Sequence, residues 1–173
     1  AGQATIRDLL AAVRLALPDV DVREAYVDVH GPTLDEVIAG VPPREEGVAA
    51  VVVPLLLAGG YHVHHDIAQA IAERPDVVAS RALGPDDRLT AVLLDRLSEA
   101  HVSSGSTLVL AAAGSSDERA NADTEAAAES LRQTWDGPVR VAYAAGRKPS
   151  VAEAVRTAHN YGEDGTVAVA SRS

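Results

Sequence analysis

Residues 47–67, GVAAVVVPLLLAGGYHVHHDI, join the most apolar run of the chain to its densest group of histidines. Residues 47–59 are apolar at nearly every position, which predicts a strand covered on both faces, as at the centre of a parallel sheet. Three histidines, His62, His64 and His65, follow the carboxyl end of this strand, and a helix is predicted from Asp66 to Ala72. Three imidazoles and a carboxylate in this position favour a functional site.

Strands alternate with helices on both sides of this stretch. The predicted strands cover residues 21–29, 47–59, 76–83, 106–114, 138–145 and 165–171. The predicted helices cover residues 3–17, 33–41, 66–72, 87–100, 116–135 and 150–159. This alternation is typical of an α/β fold with mainly parallel sheets and helices on both faces. Ligands of such folds bind beyond the carboxyl ends of the strands, where the histidines lie.

The chain also contains an internal repeat. VREAYVDVHGPTLDEVI (residues 22–38) aligns without gaps with VRVAYAAGRKPSVAEAV (residues 139–155). The identical pairs include Arg23 with Arg140, Tyr26 with Tyr143, Pro32 with Pro149 and Glu36 with Glu153. We therefore predict two copies of one βαβαβ-like unit. The N-terminal lobe spans residues 1–104, with a linker from about residue 77, and the C-terminal lobe spans residues 105–173.

The two copies differ at their ends. In the second copy a strand and a Gly-Ser turn, TLVLAAAGSSDER, precede the segment that matches Ala1. We therefore expect the opening strand and turn of the first copy to lie before Ala1. The first copy continues into residues 55–67, whereas the second stops at Ser173, so we expect that end to be truncated as well.

The composition narrows the classes of function. The chain has 173 residues, 47% of them hydrophobic, which suits a folded core rather than disorder. It has no cysteine, which excludes disulfides, thiolate metal sites and a cysteine nucleophile. A net charge of −10 without a basic cluster argues against nucleic acid as a partner. No membrane span and no signal peptide are evident, so we expect a cytoplasmic protein that does not bind membranes.

Imidazoles and carboxylates recur at spacings that can bring them together. His62 and Asp66 share a face if the helix begins by residue 62, whereas His62 and His64 share one if the segment stays extended. Asp66 then serves either as the acceptor for the second imidazole nitrogen or as the N-cap of the following helix. The competing interpretation is that these are exposed polar residues at a helix start.

A second acidic position lies at the end of the strand over residues 21–29. Asp28 and His30 are two residues apart and point to the same face of an extended chain. They converge with His62 if the two strands are neighbours. An oxygen and nitrogen site without thiolate favours a borderline or hard divalent ion. The alternative is turn chemistry before Pro32.

GSSDERAN, residues 114–121, forms a Gly-Ser turn between a predicted strand and a predicted helix. Backbone N–H groups at such a helix start can bind an anion. The segment matches neither nucleotide-binding glycine motif nor the nucleophile elbow of hydrolases, which argues against those functions. Ser115 is predicted to be the N-cap of the helix.

These motifs together resemble the class II chelatases of the sirohydrochlorin cobaltochelatase/ferrochelatase group, the CbiX/SirB type. LLLAGGYHVHHDI resembles the family's L-x-x-G-x-H-x-x-x-D-I signature, which is the most specific of the matches. YVDVHGPTLDEVI resembles its segment with an acidic residue before Pro and Ser/Thr-Leu. LVLAAAGSSDERAN resembles its opening strand and His-Gly-Ser turn, with Ala113 in the place of the histidine. The resemblance covers nearly the whole chain as a tandem, two-lobed form.

The resemblance implies two similar α/β lobes with an active site in the cleft between them. It implies insertion of Co²⁺ or Fe²⁺, or in some members Ni²⁺, into sirohydrochlorin or a related tetrapyrrole, in cobalamin or sirohaem biosynthesis. The divalent metal is then a substrate, and no cofactor is permanently bound. A chain that contains both lobes is expected to be a monomer.

The resemblance also assigns residues. His62 becomes the metal ligand and a catalytic residue, and Asp28 an acidic catalytic residue where the family more often has Glu. Asp66, His30 and His64 take supporting roles. The other metal histidine is expected before Ala1, and Ala113 makes the second lobe's turn a non-ligand. The candidates for binding the substrate carboxylates are Gly114, Ser115, Ser116, Arg119 and Arg147.

Two other functions fit these residues. One is a non-catalytic protein of chelatase-like fold that binds a metal or a tetrapyrrole. Asp28 in place of Glu, Ala113 and the absence of an N-terminal turn favour it. The other is a small-molecule enzyme of flavodoxin-like architecture with unrelated chemistry.

Overall fold

The computed structural model describes residues 2–27, 30–57, 61–161 and 167–172. Its helices are α1 (Gly2–Ala16), α2 (Leu34–Ala39), α3 (Tyr61–Ile71), α4 (Asp87–Glu99), α5 (Glu118–Thr134) and α6 (Val151–Tyr161). Its strands are β1 (Ala50–Val52), β2 (Val77–Ala79), β3 (Thr107–Ala112), β4 (Val139–Tyr143) and β5 (Val167–Arg172). The chain divides into an N-terminal unit, Ala1–Val52 with His65–Ala79, and a C-terminal unit, Val53–His64 with Ser80–Ser173.

The C-terminal unit is built on a parallel sheet in the order β4-β3-β5. The central strand β3 carries Leu108, Val109 and Leu110, all with 0% exposure. The two leucines pack against Leu131 of α5 and its neighbours, and α4 also contributes to this cluster. Val109 packs on the opposite face against Ala158 and other small residues of α6. Helices therefore cover both faces of a parallel sheet, as the sequence predicts.

The N-terminal unit contains the parallel pair β1-β2, with Ala50 opposite Val77 and Val52 opposite Ala79. Leu34 and Ile38 on α2 are buried, as is Ile67 on α3. Leu34 and Ile38 are four residues apart and therefore lie on one face of α2.

The two segments of the internal repeat fold alike. The N–H of Tyr26 donates to the carbonyl of Pro32 (2.9 Å), and the N–H of Tyr143 donates to the carbonyl of Pro149 (3.0 Å). Each tyrosine also forms a parallel bridge to the residue that follows its proline, Thr33 or Ser150. The repeat is therefore a repeat of structure as well as of sequence.

The helices that follow these turns begin with the same capping box. The Thr33 hydroxyl accepts from the N–H of Glu36 (3.2 Å), and the Glu36 carboxylate accepts from the N–H of Thr33 (2.9 Å). Ser150 and Glu153 make the same reciprocal bonds, at 3.3 and 2.8 Å. These bonds satisfy backbone donors that the first turn of a helix otherwise leaves unpaired, which fixes where α2 and α6 begin.

Several strands are shorter than predicted. Residues 21–29 were predicted to form a strand, but the described part of this segment makes only the bridge at Tyr26. Within the described part of residues 47–59, the predicted strand is reduced to β1, and Pro54 lies two residues beyond its end. Proline has no N–H to donate to a neighbouring strand. The strand predicted over residues 76–83 is likewise reduced to β2.

The helix predicted from Asp66 begins earlier, at Tyr61. This corrects two alternatives, because the segment is not extended at His62 and His64, and Asp66 is not the N-cap. Among the described residues, no helix combines the length and the apolar character needed to cross a bilayer.

Candidate functional site

Helix α3 places two of the candidate residues one turn apart. Because α3 begins at Tyr61, His62 and Asp66 occupy positions four residues apart in one helix, which is the condition for a shared face. The side chains of His62 and His64 lie outside the described residues. Asp66 is partly exposed, in the second turn of the helix. The backbone therefore satisfies the spacing that the sequence predicts for an imidazole with a carboxylate beside it.

The turn before α2 holds the second candidate group. Asp28 lies outside the described residues. His30 is exposed, and its ring stands edge-on to Tyr26 with 6.0 Å between the centroids and an interplanar angle of 76°. The backbone of Tyr26 is fixed on both sides, since its N–H donates to Pro32 and its carbonyl accepts from Leu34 (3.0 Å). His30 therefore lies against a residue whose position is set by the repeat motif.

Most of the predicted metal ligands lie outside the side chains that the structure describes. Among the described side chains, no group of three or more His, Cys, Asp or Glu is arranged to hold an ion. Asp28, His62 and His64 are not among the side chains described. Their convergence with His30 stays a prediction.

A short loop with a bend joins β3 to α5 in the C-terminal unit. The N–H groups of Ala144 and Ala145 donate to the carbonyls of Ala112 (2.8 Å) and Ala113 (3.1 Å), which draws together the loops after β3 and β4. Gly114 has a φ of +89°, and a Cβ there would overlap the carbonyl oxygen of Ala145. Only glycine fits this approach. The Gly-Ser segment of GSSDERAN therefore lies between a strand and a helix, as predicted, at the carboxyl end of the central strand.

The start of α5 corrects the role predicted for Ser115. The N-cap is Asp117, whose carboxylate accepts from the N–H of Arg119 (2.9 Å). Ser115 acts one step earlier, because its hydroxyl accepts from the N–H of Asp117 (3.0 Å). Asp117 has the extended backbone that an N-cap requires, with φ −81° and ψ 118°.

The carboxylate of Asp117 argues against binding of an anion at this helix start. The side chain of Asp117 is 8% exposed and forms an ion pair with Arg119 at 3.2 Å. It occupies the helix N-terminus, where an incoming anion is otherwise favoured. A substrate carboxylate bound at Gly114, Ser116 or Arg119 would have to compete with it.

A second arginine, Arg147, contacts the ring of Tyr143 at the end of β4. The guanidinium of Arg147 lies 5.8 Å from the ring centroid of Tyr143 and donates to Glu118 at 2.9 Å. Burial first, and then the charges of Glu125 and Glu118, raise the pKa of Tyr143, while Arg147 lowers it. The sequence motifs do not indicate the contribution of Tyr143 and Glu118. The repeat alignment contains the signal for Tyr143, because it pairs Tyr143 with Tyr26 and Arg147 with His30.

Comparisons with known proteins agree with this architecture. A solved structure described as SirB from Bacillus subtilis with Fe³⁺ superposes with a TM-score of 0.74 at 22% sequence identity, over 94% of this chain and 69% of that one. This likeness shows the fold. No protein among the curated sequences matches the chain. A family model described as CbiX matches residues 1–100 and 107–170, which is most of the chain and includes both copies of the repeat. The chain therefore belongs to the CbiX family of class II chelatases, as its motifs indicate.

Proposed function

We propose that this protein inserts Co²⁺ or Fe²⁺ into sirohydrochlorin or a closely related tetrapyrrole, in the biosynthesis of cobalamin or sirohaem. The observation that carries the proposal is the family match over residues 1–100 and 107–170. The metal is a substrate of this reaction. Iron is tested beside cobalt because the similar SirB structure is one with Fe³⁺.

His62 is the proposed metal ligand. A neutral imidazole binds borderline divalent ions, and near neutral pH it also accepts a proton. Both properties suit a reaction in which an ion enters the macrocycle and two pyrrole protons leave. Asp66 lies one helical turn from His62 and is proposed to accept a hydrogen bond from its second nitrogen. Asp28, His30 and His64 are proposed to support the metal and the departing protons.

The side chains of the two repeat copies support binding of a cation by the first copy and of an anion by the second. In the first copy the turn carries Asp28 and His30, which suit a cation. At the aligned positions of the second copy stand Ala145, which lacks the carboxylate, and Arg147, which suits an anion. We therefore propose that Arg147, with Arg119 and the turn at Gly114–Ser116, binds carboxylates of the tetrapyrrole. Arg147 is the favoured residue because its partner, Glu118, is 81% exposed and is thus readily displaced.

The experiment is anaerobic insertion of Co²⁺, Fe²⁺ and Ni²⁺ into sirohydrochlorin, followed by the visible spectrum. We expect insertion well above the spontaneous rate, and a loss of about 100-fold or more in His62→Ala, because the variant lacks both the ligand and the proton acceptor. His65→Ala is the matched control. It removes an exposed imidazole from the same helix and should leave the rate unchanged.

The main alternative is a protein of this fold that binds a metal or a tetrapyrrole without catalysis. Ala113 at the turn after β3 favours it, because that turn lacks the imidazole of the family pattern. Metal binding that depends on His62, without any insertion above the spontaneous rate, would establish this alternative. Equal losses in His62→Ala and His65→Ala would contradict the role proposed for His62.

A further inference from the structure

A cavity of about 320 Å³ lies along the edge strand β4 of the C-terminal unit. Its walls come from β4, from the last turn of α5 and from α6, and the chemistry-bearing residues among them are Arg132, Arg140 and Thr157. The rest of the lining is apolar, including Val139 and Val141. An apolar cavity with two guanidinium groups has the composition of a small-molecule site that fixes a negatively charged group.

Arg140 is the unusual member of this lining. Its Nε is buried and has no hydrogen-bond partner among the described residues. The other arginine of the cavity, Arg132, does have carboxylate partners. They are Glu129 at 3.3 Å and Glu125 at 3.6 Å. A buried donor that makes no hydrogen bond destabilises the folded state, so an acceptor supplied by a ligand would stabilise it.

The aligned arginine of the first copy has the partners that Arg140 lacks. Arg140 aligns with Arg23, whose Nε donates to Asp21 at 2.7 Å and whose Nη1 donates to the carbonyl of Gly40 at 3.2 Å. The second copy has Pro138 at the position of Asp21 and Thr157 at the position of Gly40. The arginine is retained, but the carboxylate that pairs with it in the first copy has been replaced by an apolar ring.

We propose that the cavity beside β4 binds the carboxylate of a small-molecule ligand, which takes on Arg140 the place that Asp21 takes on Arg23. A carboxylate matches the two parallel donors of a guanidinium edge, and the apolar walls accommodate the hydrocarbon part of such a ligand. The site is separate from the turn at Arg119. Arg132 lies at the opposite end of α5, roughly 20 Å from Arg119 at the rise of an α-helix.

The probe is succinate, titrated into the ¹⁵N-labelled full chain at constant ionic strength, with chloride as the reference anion. The readout is the Nε–H resonance of Arg140, identified by its loss in Arg140→Gln. We expect a saturable shift with a Kd of about 1 mM, the strength of roughly two hydrogen bonds to a charged group. The Nε–H resonance of Arg23 should not move, because its partner belongs to the chain.

A second variant restores the internal partner. Pro138→Asp places a carboxylate at the position of Asp21 and should weaken succinate binding at least about tenfold, since the new side chain competes for the same donors. The dispersion of its amide spectrum reports that the fold is kept. Backbone shifts around the cavity that saturate equally in the wild type and in both variants would overturn the proposal. The absence of any saturable shift would also overturn the proposal. That result would follow if a carboxylate of this chain already filled the cavity. Saturation by phosphate but not by succinate would overturn the class of ligand.

Discussion

At the scale of single residues, Asp76 connects the loop after α2 to β2 in the N-terminal unit. Its carboxylate accepts from Nε and Nη2 of Arg74 (2.9 and 3.0 Å) and from the N–H of Arg44 (3.0 Å). Arg74 in turn donates to the carbonyls of Ile38 (2.9 Å) and Val41 (3.2 Å). The bonds from Arg74, and then the one from Arg44, hold the pKa of Asp76 well below its usual range. One carboxylate thus orders three segments of the chain.

Asp76→Asn is therefore expected to destabilise the N-terminal unit. The substitution removes the charge that pairs with Arg74 and leaves part-buried donors without an ionised acceptor. We expect Tm to fall by roughly 5 °C or more. The matched control is Asp86→Asn, which breaks an ion pair whose arginine, Arg88, is 92% exposed. There we expect a fall of about 2 °C or less, because exposed ion pairs contribute little. Thermal unfolding followed by circular dichroism distinguishes the two, and equal falls would contradict the role given to Asp76.

At the scale of secondary-structure elements, helices were easier to predict from the sequence than strands. A helix satisfies most of its own backbone hydrogen bonds, so the local sequence pattern locates α1, α4, α5 and α6 within two residues. A strand needs a partner. The aligned segments over residues 22–26 and 139–143 have similar sequences, yet in the described part of the chain only the second pairs with a neighbouring strand, β3. Among the described residues, no strand lies beside residues 22–25. Pairing of this kind cannot be read from a single segment.

In the candidate site, too, local features could be predicted from the sequence, whereas features that depend on the fold could not. The four-residue spacing of His62 and Asp66 is a local property, and the start of α3 at Tyr61 meets the condition that the sequence sets for it. The predicted N-cap of α5, Ser115, is wrong by two positions, because Ser115, Ser116 and Asp117 are all residues that cap helices. The stack of Arg147 on Tyr143 depends on the fold of the turn between them. Only the repeat gives an indication of it in the sequence.

The capping box of α6 leads to a prediction about pH. Hydrogen bonds from Lys148, and then from the backbone and hydroxyl of Ser150, lower the pKa of Glu153 to about 2, from 4.5. Since the folded-state pKa is depressed, the stability that ionised Glu153 contributes is present above pH 4.5 and is lost as the pH falls towards 2. The difference in unfolding free energy between the wild type and Glu153→Gln should therefore be constant at higher pH and shrink within this window.

Urea unfolding of both proteins across this pH range measures that difference. Lys148→Met serves as the companion variant, because it removes the largest cause of the shift while the capping box stays in place. It should raise the pKa of Glu153 towards its ordinary value and so narrow the window. A difference between wild type and Glu153→Gln that is independent of pH down to about 2 would show that the carboxylate contributes nothing through its charge.

At the scale of the whole molecule, the two units differ in how their sheets are completed. In the C-terminal unit β3 is hydrogen-bonded on both sides, and both of its faces are covered by helices. In the N-terminal unit the described sheet is a pair of three-residue strands, and Val51 of β1 is 56% exposed. A two-stranded sheet is only marginally stable unless other elements cover it. The N-terminal unit, which holds Asp28 and His30, is therefore expected to open more readily.

Amide hydrogen exchange followed by NMR tests this difference. We expect the N–H groups of Leu108–Leu110 to exchange slowest, and those of β1 to exchange about 100-fold faster or more, because local opening of β1 leaves the core of the C-terminal unit intact. Leu110→Ala provides the decisive variant. Leu110 is fully buried, so the cavity left by its side chain should destabilise the C-terminal unit by about 2–5 kcal/mol. Exchange in β3 should then accelerate while exchange in β1 stays the same. If β1 and β3 exchange at equal rates in the wild type, and accelerate together in the variant, the two units unfold as one and the expectation is wrong.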